Sequence, residues 1–219
     1  MQEALLIKNI IFDLDGTLID SSKNIIKSIK KTMKDNSLSS EIPISESMIG
    51  PPLKEIFFSL LGNDDPEIIN KLIRDFINDY DNVSIYETLP FEGVNEVLKT
   101  LYLNKLNLYI ATNKRYIPTI KIIQKLNWNH FFKKIYTIDK VHGIFENKTE
   151  MLKLIIYENN LNPNETVYIG DRNEDGEYSE SLGINFLFAM WGYGNPKSKE
   201  WNSIDNINNL YTILRNYPA

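Results

Sequence analysis

The chain contains no cysteine. That absence excludes disulfides, thiolate metal sites and thiol nucleophiles together, and it fits a cytoplasmic setting. Histidine is nearly as scarce. His130 and His142 stand alone, without metal-ligand spacing, and neither is assigned a role. Long apolar runs are also missing, so no segment reads as a membrane span. The first residues lack the charge order and length of a signal peptide, because Lys8 and Asp13 interrupt the apolar run. Positive charge is not in excess. With a formal net charge of -5 there is no broad basic field to hold nucleic acid or an anionic membrane.

What is present is an ordinary globular composition. The 219 residues are 42% hydrophobic, enough for one sizeable domain or a core domain with a smaller companion. Five apolar runs are continuous rather than alternating, as buried parallel strands are. They are Ile7 to Leu14, Leu106 to Thr112, Lys134 to Ile138, Thr166 to Ile169 and Phe186 to Met190. Between them, Val94 to Leu103, Ile117 to Leu126, Met151 to Tyr157 and Glu177 to Leu182 repeat apolar residues at helical steps. The alternation predicts an α/β fold, a Rossmann-like parallel sheet core with helices on both faces.

One gap breaks that alternation. From Asp20 to about Thr88 the pattern is helical only, with Ile25, Ile26, Ile29 and Met33 on one face, then Leu53 to Leu61, then a helix after Pro66. The expectation is a core domain of residues 1–19 and 89–219 and an inserted helical cap domain of residues 20–88. Leu18 to Asp20 and Thr88-Leu89-Pro90 would be the hinges. The run Lys23, Lys27, Lys30, Lys31 and Lys34 reads as the wet face of the first inserted helix.

The residues that carry chemistry sit at strand ends, where ligands bind in open α/β sheets. Asp13-Leu14-Asp15-Gly16-Thr17-Leu18 closes the first strand. Two carboxylates two residues apart, followed by glycine, suit a tight turn that aims both into one pocket. Taken alone, Asp15-Gly16 is a turn dipeptide and Asp13 a cap; the whole string favours a site. It resembles the first motif of the haloacid-dehalogenase-like superfamily, and the likeness runs in motif order through the chain, nearest to the phosphoglycolate-phosphatase-like branch.

That resemblance implies a phosphatase. Asp13 would be the nucleophile and Asp15 the general acid/base, since one carboxyl beside the nucleophile can protonate the leaving oxygen and later deprotonate water. Thr112, ending Ile110-Ala111-Thr112-Asn113-Lys114, would bond a phosphoryl oxygen. Asn113 and Lys114 resemble the same branch; Lys114 either touches substrate or is simply solvated. Lys148, in Glu146-Asn147-Lys148-Thr149, matches the third motif, although Thr149 stands where proline often follows. It would offset repulsion between the aspartates and an incoming phosphate. Lys140 is its rival. Gly170-Asp171-Arg172-Asn173-Glu174-Asp175 matches the fourth motif. It implies Mg²⁺ held by Asp171, the Asp13 carboxylate and the Asp15 backbone carbonyl, with Asp175 ligating directly or through water. Glu174 reads better as an acid at a helix N-terminus.

Two further segments stay open. Gly50-Pro51-Pro52-Leu53 is either a cap loop reaching toward substrate or an inter-helix turn, and Trp191-Gly192-Tyr193-Gly194 either borders the site or is a plain glycine turn. The expected partner is a small phosphorylated metabolite such as a phosphoglycolate-like, nucleotide or sugar phosphate. No nucleic acid or membrane partner is expected, and the chain would be a monomer or homodimer. A phosphomutase or inorganic pyrophosphatase is the enzymatic alternative. A phospho-aspartate receiver module is the signalling one, but it is shorter and carries its aspartate on a later strand.

Overall fold

The computed structural model describes residues 7–40, 42–62, 64–139 and 147–216. Lys140 and His142 lie outside them. Six strands form one parallel sheet: β1 (Asn9–Phe12), β4 (Asn107–Thr112), β5 (Phe132–Thr137), β6 (Thr166–Gly170), β7 (Asn185–Ala189) and β8 (Asn202–Ile204). Their spatial order is β5-β4-β1-β6-β7-β8. β1 is therefore central, pairing with β4 on one side and β6 on the other. The chain fills one side of β1 and then crosses to the other, so a crevice opens at the carboxyl end of β1, between β4 and β6.

Continuous apolar strands follow from burial on both faces. Ile10 and Phe12 face one core layer with Leu98 and Ile122, while Ile11 faces the other with Met151 and Ile155. Successive side chains of a strand point to opposite faces, and both faces are covered by helices. The first layer holds α4 (Val94–Leu103), α5 (Tyr116–Lys125) and α8 (Leu210–Arg215); the second holds α6 (Lys148–Glu158) and α7 (Asn173–Glu180).

Between β2 (Ile19–Asp20) and β3 (Leu89–Pro90) lie α1 (Ser22–Asp35), α2 (Leu53–Leu61) and α3 (Pro66–Tyr80). α1 buries Ile25, Ile29 and Met33, the stripe expected from its spacing. α3 starts where Asp65 accepts from the backbone N–H groups of Glu67 and Ile68 and Pro66 presets the first turn. Phe76 and Phe57 join α3 to α2 edge to face, with centroids 6.3 Å apart.

Several expected boundaries move. Both segments read as hinges pair with each other as the short antiparallel ribbon β2–β3. β1 is shorter than its apolar run. β5 begins at Phe132, because Lys133 and Lys134 are tolerated as exposed residues on an edge strand. α7 begins at Asn173 rather than Glu177, and β8 and α8 add to the expected elements.

Candidate active site

The turn after β1 aims two carboxylates into the crevice. The Gly16 N–H donates to the Ile19 carbonyl at 3.0 Å and the Leu18 N–H to the Leu14 carbonyl at 2.9 Å. Gly16 sits at φ +86°, and a Cβ there would run into the Asp171 carboxylate. Only glycine serves both conditions. The Asp13 N–H continues the sheet by donating to the Ile169 carbonyl at 2.9 Å, which anchors its side chain at the floor of a cavity.

Asp13, Asp171 and Asp175 each bring a carboxylate oxygen within 4.8 Å of the others, and all three are buried. Asp171 follows β6 and is held by the Tyr193 N–H at 2.8 Å and the Thr17 hydroxyl at 3.3 Å. Asp175 is the third residue of α7. Its Oδ2 accepts from the Arg172 N–H at 3.1 Å at the start of α7, and its Oδ1 accepts from Lys148 at 2.7 Å and from the Tyr168 hydroxyl at 3.1 Å.

Lys148, the first residue of α6, is only 3% exposed and lies 3.1 Å from the Asp13 Oδ2. Asn147 caps that helix by accepting from the Glu150 N–H at 3.2 Å. Burial alone would lower the Lys148 ammonium, but the Asp13 and Asp175 carboxylates outweigh it and hold it well above the ordinary lysine value.

One ammonium, with the Arg172 guanidinium 3.8 Å from Asp171, does not balance three acids. Burial, resisted by Lys148 and reinforced by Asp175 and Asp171, pushes Asp13 up to about 7. Burial and the Asp175 charge push Asp171 up to about 6, against the Tyr193 N–H that favours its ionised form. The shortage of positive charge and the all-oxygen donor set fit a hard divalent cation.

Thr112 ends β4, buried, with its Oγ1 accepting from the Lys114 N–H at 3.1 Å, and it lines the same cavity as Asp13 and Asp15. The three residues after it reach the helical segment in turn. Asn113 Nδ2 donates to the Gly50 carbonyl at 2.8 Å. Lys114 Nζ bonds both Asp15 oxygens at 3.0 and 3.2 Å and the Tyr80 hydroxyl, at the end of α3, at 2.9 Å. Arg115 forks onto Asp81 at 3.1 and 2.6 Å. Lys114 is thus an internal residue and not a solvated one. Asp15 also accepts a bond from the Ser21 hydroxyl.

Both open loops line this centre. A Cβ on Gly192 would collide with Asp171, Trp191 Nε1 donates to the Thr17 carbonyl at 2.9 Å, and Tyr193 accepts from the N–H groups of Ser21 and Ser22. Gly50 to Leu53 line the cavity. Sequence reasoning did not single out Tyr80, Tyr168 or Arg172, whose guanidinium donates to the Glu46 and Ser47 carbonyls at 2.8 and 3.2 Å. The only sequence signal for Tyr80 is its place four residues after Phe76 on the buried stripe of α3.

Comparison with known proteins gives a family and a fold. A family model described as haloacid dehalogenase-like hydrolase matches residues 10–189. The chain is 27% identical to a 5'-nucleotidase of Pseudomonas aeruginosa, covering 87% of this chain and 86% of that one. It is 28% identical to a phosphoglycolate phosphatase of Aquifex aeolicus, over 84% and 85% of the two chains. A crystal structure titled a predicted phosphatase, from Clostridium acetobutylicum, superposes with a TM-score of 0.84 over 94% of this chain and 97% of that chain, at 22% identity. At that identity the structural likeness speaks for the fold.

Proposed function

This chain belongs to the haloacid dehalogenase-like hydrolases, and on that premise we propose that it hydrolyses small phosphate monoesters through a phosphorylated Asp13, with Mg²⁺. The observation that carries the reading is Asp13 itself. Its carboxylate is buried on the cavity floor, 3.1 Å from Lys148 and within a cation's reach of Asp171 and Asp175. The names of two relatives, a 5'-nucleotidase and a phosphoglycolate phosphatase, support testing phosphate monoesters.

In the first step an Asp13 oxygen forms a bond to phosphorus as the ester P–O bond breaks. The leaving oxygen takes a proton from Asp15. In the second step water attacks phosphorus, Asp15 takes the water proton, and the acyl-phosphate bond breaks to release phosphate and regenerate Asp13. Lys148 holds the Asp13 carboxylate in place and offsets charge on the phosphoryl oxygens, and Thr112 offers its hydroxyl to one of them. Mg²⁺ at Asp13, Asp171 and Asp175, with the Asp15 carbonyl as a further ligand, would neutralise the combined charge of carboxylates and phosphate.

Residues 20–88 act as a cap over the core of residues 1–19 and 89–219 in this reading, and closure excludes bulk water during the first step, leaving room in the second for the one water that attacks phosphorus. The bonds from Asn113, Lys114, Arg115 and Arg172 to the helical segment support it. No helix among the described residues is long and apolar enough to cross a membrane. A small-metabolite activity and the lack of cysteine fit a cytoplasmic enzyme.

The test is phosphate release from an aryl phosphate with Mg²⁺, together with trapping of the phosphoryl group on the chain. A phosphoryl group recovered on any residue other than Asp13 excludes the mechanism. Asp15→Asn sharpens it. An alkyl phosphate needs its leaving oxygen protonated, so its turnover should fall about 10²- to 10⁴-fold. An aryl phosphate, with a stable leaving anion, should lose about tenfold less. Equal losses on both would remove the general-acid role from Asp15.

A further inference from the structure

Chemistry at phosphorus does not account for the whole cavity. Its volume is about 890 Å³, in the range of about 300–1,000 Å³ that accommodates drug-sized ligands. A phosphoryl group on a two-carbon alcohol would leave most of it empty. Beyond Asp13 its wall is mainly apolar, with Ile49, Leu53 and Phe58 together with Ile69, Ile73 and Phe76 from α3.

The charge of that wall is equally informative. Among the described residues, its cations are Lys54, Lys114 and Arg115. Lys114 is committed to Asp15, and Arg115 to Asp81. Lys54 is exposed on the first turn of α2. Glu55, Asp64 and Asp139 line the same space. A second anion on the leaving alcohol would therefore meet apolar surface, like charge and the solvent-exposed Lys54, with no buried cation left to pair with it.

Asn113 adds a polar preference. Its Nδ2 is fixed by the Gly50 carbonyl, which also fixes which way the amide faces. Its Oδ1 is buried and has no hydrogen-bond partner among the described residues. An unpaired buried acceptor favours a ligand that brings a donor and disfavours one that brings only lone pairs.

We propose that the leaving group of this site is a neutral alcohol of nucleoside size, with an apolar ring face for the α2–α3 wall and a hydroxyl or N–H for Asn113. Monoesters that carry a second anion, as a carboxylate or another phosphate, are selected against. This rests on the phosphatase reading above and adds the class of alcohol to it.

The experiment compares kcat/KM for a nucleoside 5'-monophosphate, phosphoglycolate and pyrophosphate, and measures binding of the same three to Asp13→Asn by calorimetry with Mg²⁺. The nucleoside ester is expected to lead by about 10²-fold, the worth of burying one ring face. Phe58→Ala, at an exposed position that keeps the fold, should cut the ratio of nucleoside to glycolate ester by about tenfold. Preference for phosphoglycolate or pyrophosphate, or an unchanged ratio in Phe58→Ala, overturns the proposal. If no ester is turned over, the phosphatase reading fails by itself and binding to Asp13→Asn decides the leaving group. Tighter binding of the nucleoside ester supports the proposal, and tighter binding of phosphoglycolate or pyrophosphate rejects it.

Discussion

Asp13→Asn is expected to lower kcat by at least about 10⁴-fold while leaving the fold in place, the scale on which removal of a nucleophile acts. The amide matches the carboxylate in shape but is a poor nucleophile. The fold should survive for a reason specific to this site. Asp13 is raised to about 7 from its ordinary 3.8, chiefly by burial. Between those two values the native state binds the proton that the unfolded state has lost, so the metal-free protein loses stability as pH rises across that window. Above about pH 7 the full penalty of a buried charge is present, and the neutral amide relieves it. Lys148 keeps Asp175 at 2.7 Å as its partner. Metal-free Asp13→Asn should therefore melt no lower than metal-free wild type near pH 8. A calorimetric scan and a phosphate-release assay on one preparation decide the matter. A well-folded variant that turns over substrate at close to the wild-type rate would refute the assignment of the nucleophile.

Much of this site could be read before any coordinates. Strands buried on both faces leave unbroken apolar runs, so the ends of β1, β4 and β6 were visible, and with them Asp13, Thr112 and Asp171. The parallel order of the sheet then brings those three tips together, because β1 pairs with both other strands. Lys148 was found by motif rather than by pattern. α6 carries it inward because Asn147 takes the cap position, a short-range feature that makes Lys148 the first residue of the helix.

What stayed hidden depends on partners distant in sequence. Lys114 meets Asp15 across 99 positions and Tyr80 across 34, and no local periodicity encodes either meeting. Asp175 was expected as a metal ligand, directly or through water. Its two oxygens divide between the Arg172 N–H three positions away and Lys148 across 27 positions, and only the first partner is local. β8 was missed because Asn202-Ser203-Ile204 has no apolar run; pairing along β7 makes it a strand. Thr88 to Pro90 and Leu18 to Asp20 were legible as the limits of the helical insertion, but their mutual pairing depends on the insertion closing back on itself.

Removing metal should abolish hydrolysis, and the pH dependence of metal binding should carry the signature of this cluster. Three buried carboxylates share one lysine, so without a cation two of them hold protons more tightly than usual. A metal ion has to displace those protons to bind. Near pH 8 both carboxyls are ionised and binding is unopposed. As pH falls below about 7, where Asp13 titrates, apparent Mg²⁺ affinity should drop about tenfold per pH unit. Below about 6, where Asp171 follows, two protons compete and the slope should approach about a hundredfold per unit. The rise in melting temperature at fixed Mg²⁺ should shrink in parallel, because stabilisation by a ligand follows its affinity. Calcium, which is larger and takes more ligands, should bind without supporting turnover. The measurement is a thermal shift series from about pH 5 to about pH 8 with Mg²⁺, with Ca²⁺ and with excess chelator, alongside phosphate release. Full activity in chelator would contradict a metal at the aspartates. A Mg²⁺ shift that stays constant across the series would mean that Asp13 and Asp171 are not the groups that hold it.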